Sequence, residues 1–138
     1  MPRKPNLFAS VFNQTEMINP PGVLTELLLS TDASWEGTPY PEYPTGTPLI
    51  SVLKISIPPY TTLAWHYHPI LVMGYLLDGT LTIEKQNTNE QKTFVCGELI
   101  PEVVDTVHRG ITGARRVELL VFYIGGRDIP LSIISEIP

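Results

Sequence analysis

The chain has 138 residues, 43% of them hydrophobic and 17% charged, with a formal net charge of -5. That length is typical of one domain with a core that needs no covalent staples, and the charged fraction falls below the roughly 25% of an average soluble protein. Lys and Arg are scattered apart from Arg3-Lys4 and Arg115-Arg116, so there is no basic footprint of the kind nucleic acid requires, and no nucleic-acid partner is expected.

Fourteen prolines and ten glycines are too many for a helical protein, because proline breaks helix interiors and glycine weakens them; both suit a chain that turns often. The single Cys96 has no partner for an internal disulfide and reads as a small buried thiol. Residues 1–14 lack an apolar run long enough for a signal-peptide core, and no stretch approaches the 18 or so apolar residues of a membrane span. A cytoplasmic protein with no membrane association is the expectation.

In chain order, residues 23–29 (VLTELLL) follow Pro20-Pro21-Gly22 and read as a short strand. Residues 34–48 mix proline, glycine and aromatics too densely for helix or ladder, predicting a loop packed by Trp35, Tyr40 and Tyr43. Residues 49–57 (LISVLKISI) are rich in β-branched side chains and stop at Pro58-Pro59, a strand with a hard end. A strand is expected over 65–68. Residues 72–77 and 80–85 flank Asp78-Gly79, the signature of a hairpin with a tight turn. After the polar turn at 87–91, strands are expected at 92–95, 98–104, 115–124 and 131–134. No segment keeps a helical period, so the class is all-β, a sandwich or barrel.

The three histidines are His66, His68 and His108. The first two stand two apart in a predicted strand, where alternation sends both imidazoles to one face. His108 lies in a distant segment that antiparallel folding brings alongside. Such pairs also occur on solvated faces, but here His66 is flanked by Trp65 and Tyr67 in a stretch where two neighbouring imidazoles would lack solvation.

Residues 58–79 (PPYTTLAWHYHPILVMGYLLDG) and 97–112 (GELIPEVVDTVHRGIT) resemble the two signature motifs of the cupin superfamily. Against the first, G-x5-H-x-H-x3-E-x6-G, the chain supplies His66, His68 and Gly79, with Tyr60 for the first Gly and Val72 for the Glu. Against the second, G-x5-P-x-G-x2-H-x3-N, it supplies Gly97 and His108, with Val103, Asp105 and Thr112 at the other positions. Residues 53–59, 102–110 and 120–126 are similar to small stand-alone cupins of mostly unassigned function. The resemblance spans about residues 47–132.

The resemblance implies a double-stranded β-helix, or jelly-roll barrel, over 47–138, with 1–46 as an N-terminal arm, strand and Pro-rich loop packing on it as one structural domain. It implies a divalent transition metal on His66, His68 and His108: Fe2+ is favoured by the family's three-histidine dioxygenases, while Zn2+, Ni2+, Mn2+ and Cu2+ also suit imidazole. The resulting expectation is a non-haem dioxygenase-type enzyme on a small organic molecule. A metal-dependent isomerase or lyase with Glu102 as acid and base, and a non-catalytic small-molecule-binding or sensing module, are the alternatives.

Glu102 sits in the apolar run IPEVV, where a carboxylate is costly to bury unless it is paired or used. An exposed strand residue, or an ion pair with Arg109 or Arg116, is the structural alternative. Val72, Met73, Tyr60, Arg109 and Phe122 are the candidates for contact with the small-molecule ligand, and Asp105 is expected to form a turn. A homodimer is expected from the family, with residues 1–21 as the exchanged arm.

Overall fold

A computed structural model of the chain describes residues 20–43 and 45–137. The strands are β1 (Leu49–Ile57), β2 (His66–Tyr67), β3 (Leu71–Asp78), β4 (Thr80–Lys85), β5 (Gln91–Val95), β6 (Leu99–Pro101), β7 (His108–Thr112), β8 (Val117–Gly125) and β9 (Ile133–Ile134). They form a four-stranded sheet, β1-β8-β3-β6, and a five-stranded sheet, β5-β4-β7-β2-β9. Every pairing is antiparallel. There is no helix among the described residues, and so none long and apolar enough to cross a membrane. This all-β, two-sheet arrangement is the expected jelly roll.

The expected hairpin at Asp78-Gly79 is corrected. β3 pairs with β6 and β8, while β4 pairs with β5 and β7, so the tight turn is a corner that passes the chain from one sheet to the other. Gly79 has φ 84, and a Cβ there would collide with the Arg116 carbonyl oxygen, which only glycine avoids. The true hairpin joins β4 to β5 through the polar turn after it.

Strand alternation assembles the interior. β8 buries every second residue from Val117 to Gly125, and β3 buries Val72, Gly74 and Leu76. These side chains meet Leu81, Ile83, Phe94 and Ile100 in one core. The expected strands at 65–68, 98–104 and 131–134 shrink to two or three residues, because their neighbours are the turns that carry the site.

The expected strand at 23–29 is also corrected, since those residues join no ladder. The chain divides into two units between Thr31 and Asp32. Residues 32–43 belong with the barrel: the Trp35 amide donates to the Pro101 carbonyl at 2.9 Å, the Trp35 ring meets Phe94 edge to face, and Lys85 and Glu36 form a buried ion pair at 2.5 Å. Tyr43, expected to pack this loop, is 84% exposed. The arm at 1–21, expected to be exchanged in a homodimer, falls almost wholly outside the described residues.

Candidate metal centre

His66 on β2 lies directly opposite His108 on β7. His68, two residues on, presents its ring on the same side, and the three ring centroids are 4.5 to 5.1 Å apart. Their ligand atoms all lie within 4.8 Å of one another. The three histidines named from the sequence are thus brought together.

Backbone carbonyls fix how each ring is turned. His66 Nδ1 donates to the Ala64 carbonyl at 2.8 Å, His108 Nδ1 to the Thr106 carbonyl at 2.8 Å, and His68 Nδ1 to the Leu131 carbonyl at 2.9 Å. Ser132 Oγ adds a contact to His68 Nδ1 at 3.0 Å. A carbonyl can only accept, so each Nδ1 carries a proton, which in a neutral ring leaves the lone pair on Nε2. This is the support that orients histidine ligands in metal sites.

Glu102 stands beside the cluster. Its Oε1 accepts from Trp35 Nε1 at 3.1 Å and from the Val103 amide at 3.1 Å, while Oε2 faces His108 Nε2 at 3.6 Å. His108 Nε2 is buried and has no hydrogen-bond partner. A buried lone pair on His108 Nε2 facing a carboxylate oxygen at that separation calls for a cation or a proton between them. The residues present therefore fit a metal ion. Neither alternative ion pair of Glu102 forms: Arg109 pairs with Glu84, and Arg116 with Glu118.

Burial sets the protonation of these groups. It pushes His68 down to about 4, helped by neighbouring His108 and against the Leu131 hydrogen bond. It pushes His108 down to about 4 as well, so both rings are neutral and ready to ligate at physiological pH. Burial also drives the Glu102 carboxyl up, against the stabilising Val103 amide, and Tyr40 to about 12, with the Glu102 charge adding to the effect.

The cluster opens into a cavity of about 300 Å³ lined by residues of both sheets, among them Ile55, Val72, Ile83, Glu102, Val121 and Tyr123. Of the five residues expected to contact a ligand, four lie away from this cavity. Met73 and Phe122 sit at the outward positions of β3 and β8. Tyr60 is 80% exposed, and Arg109 lies over the Trp65 ring at 3.9 Å while pairing with Glu84. Only Val72 lines the cavity. The sequence reading did not assign Ser132 or the Leu131 carbonyl a role at the site. No signal in their local sequence marks them, because they act through their position just before β9, the strand beside β2.

No protein-family model matches the chain, and no curated protein is detectably similar to it. Solved structures do share its architecture. The chain is similar to DMSP lyase DddQ from Ruegeria pomeroyi DSS-3, with TM-score 0.55 and 15% identity over 62% of this chain and 43% of that one. It is similar to the polyketide cyclase RemF from Streptomyces resistomycificus, with TM-score 0.53 and 20% identity over 63% of each. It is likewise similar to an oxalate oxidase, with TM-score 0.52 and 17% identity over 62% of this chain and 46% of that one. These neighbours are cupins. The fold is a cupin barrel.

This chain spans less than two thirds of each of those three proteins, and at such identities the likeness is one of fold. Within it, the cupin motif's two substituted glycine positions keep the backbone that glycine would adopt: Tyr60 has φ 53 and Asp105 has φ 55. The expected turn role of Asp105 is thereby met.

Proposed function

We propose that this cupin is a metal-dependent enzyme that moves a proton on a small organic molecule, in the manner of a lyase or isomerase. His66, His68 and His108 hold a divalent transition metal, and Glu102 is the general acid and base. When bound, the metal supplies a Lewis acid that polarises a substrate oxygen.

The observation that carries this reading is Glu102 Oε2, 3.6 Å from the ligand atom of His108 and in a cavity whose wall, apart from the histidines, Ser132 and Tyr123, is apolar. Burial raises the affinity of that carboxylate for a proton, which brings a carboxylic acid nearer to the range useful for proton transfer at neutral pH. Trp35 and the Val103 amide hold Oε1, leaving Oε2 to take the proton from substrate and return it.

A dioxygenase-type reaction at an Fe2+ centre is the second reading, supported by the all-imidazole ligand set that Val72 leaves behind. Metal analysis of the purified protein, followed by a survey of turnover with and without oxygen, separates the two. Oxygen-independent turnover that Glu102→Gln abolishes without loss of metal supports proton transfer. Stoichiometric oxygen uptake would sink that reading and favour the dioxygenase, and a protein that binds no divalent metal would overturn both.

A further inference from the structure

We infer that the cavity takes a compact aliphatic molecule with a single oxygen-bearing head group, and that it rejects polyols and molecules charged at both ends. The head group's place rests on the metal reading above; the tail's place rests on the cavity wall alone.

The polar groups of the lining are gathered around the three histidines. Glu102 faces His108, and Ser132 and Tyr123 stand beside His68. Ser132 Oγ already engages His68 Nδ1. No Lys or Arg is among the lining residues, so nothing there would neutralise a second anionic group. The remainder of the wall is aliphatic and comes from both sheets, including Ile55, Ile57, Leu81, Ile83, Leu119 and Val121. The backbone of β4 and β8 is paired on both sides, so these two strands offer no main-chain partners for ligand hydroxyls along the wall. A hydroxyl or second carboxylate there would lose its water without gaining a hydrogen bond.

Size sets the other bound. At the roughly 30 Å³ that one water occupies in the liquid, about 300 Å³ accommodates on the order of ten non-hydrogen atoms. That corresponds to a carboxylate or carbonyl with a tail of about six to eight carbons.

Calorimetric titration of the full chain with straight-chain monocarboxylates, from butanoate to dodecanoate, tests this on metal-stripped and Zn2+-reloaded protein, with octanedioate and glucuronate as comparisons. Expected is an affinity for the reloaded protein that rises about fourfold per methylene, equivalent to about 0.8 kcal/mol, and stops rising near eight or nine carbons. Octanedioate and glucuronate are expected to bind at least about 100-fold more weakly than octanoate, given the cost of burying an unpaired polar group.

Affinity independent of chain length, or octanedioate or glucuronate binding as well as octanoate, would overturn the inference. The variant Val121→Phe, which fills part of the wall, should move the cutoff to shorter chains, and an unchanged cutoff in folded variant would also overturn it. If that variant does not fold, the chain-length series of the native protein still decides. Metal content measured in the same preparations keeps the two readings apart: a chain-length series that is the same in stripped and reloaded protein supports the aliphatic pocket while removing the metal from the head group.

Discussion

Glu102 faces Val72 across the strand ladder, its amide donating to the Val72 carbonyl at 3.0 Å, one step beyond the register pair of Met73 and Pro101. Opposed residues of antiparallel strands share a face, and both side chains line the cavity. The carboxylate that the cupin motif would place at position 72 therefore reaches the same cavity from the neighbouring chain segment. Its Oε1 is held by Trp35, a residue from the loop before the barrel.

The charge at that position is expected to be separable from metal binding. Glu102→Gln should retain metal, measured by elemental analysis, while slowing any turnover by about 100-fold or more, the scale of a lost acid or base. Loss of the metal in this variant would instead make Glu102 a ligand.

The histidine cluster should make stability metal-dependent. Addition of Zn2+ at about 100 times its dissociation constant is expected to stabilise the native protein by about 2.7 kcal/mol, read as a rise in melting temperature that a chelator reverses. His66→Ala and His108→Ala should each abolish the rise. A variant that still responds fully to metal would show that the ion sits elsewhere.

The Lys85 and Glu36 pair, 9% and 7% exposed at the side chains, gives stability a defined pH window. Burial would raise the Glu36 carboxyl, but hydrogen bonds from Lys85, Thr38 and Ser34 outweigh it and leave it below its ordinary 4.5. That contribution is complete above the ordinary value and is lost as pH falls through the lowered one. The hydrogen bond to Glu36 holds Lys85 above its ordinary 10.5, a contribution complete below that value and lost as pH rises through the raised one. Glu36→Gln is therefore expected to cost about 3 kcal/mol at neutral pH, as breaking a buried pair does. In urea melts that difference should stay level between about pH 5 and pH 10 and shrink outside this range. A cost of the same size at about pH 3 would exclude the pair as its source.

The left-handed backbone of Tyr60 and Asp105 should be measurable as strain. Tyr60→Gly is expected to stabilise the protein by about 1 kcal/mol, the scale of the penalty that a Cβ incurs there, read as a higher urea midpoint at unchanged slope. The Tyr60 amide bond to the Gly113 carbonyl survives the change. Asp105→Ala should destabilise by a similar amount, since Asp tolerates this conformation better than Ala does.

What the sequence by itself determined was local. A β-branched run stopped by Pro58-Pro59 marked β1, glycine-bearing turns bounded β3, β4 and β8, and the places of His66, His68 and His108 on motif positions named the candidate metal ligands. What only the tertiary structure decided was pairing between distant segments. Asp78-Gly79 carries the same local signal whether its flanking strands pair with each other or cross between sheets, and the sheet partners decided for the crossing. Whether Met73 and Phe122 or Val72 and Tyr123 look inward depends on one residue of parity, which the packing of β3 on β8 sets. The carbonyls of Ala64, Thr106 and Leu131 that turn the imidazoles carry no residue identity at all, so no sequence pattern announces them. Glu102 was legible as a buried carboxylate in an apolar run; its place opposite Val72 came from the register of β3 and β6, because a ladder is a relation between two segments and neither one alone contains it.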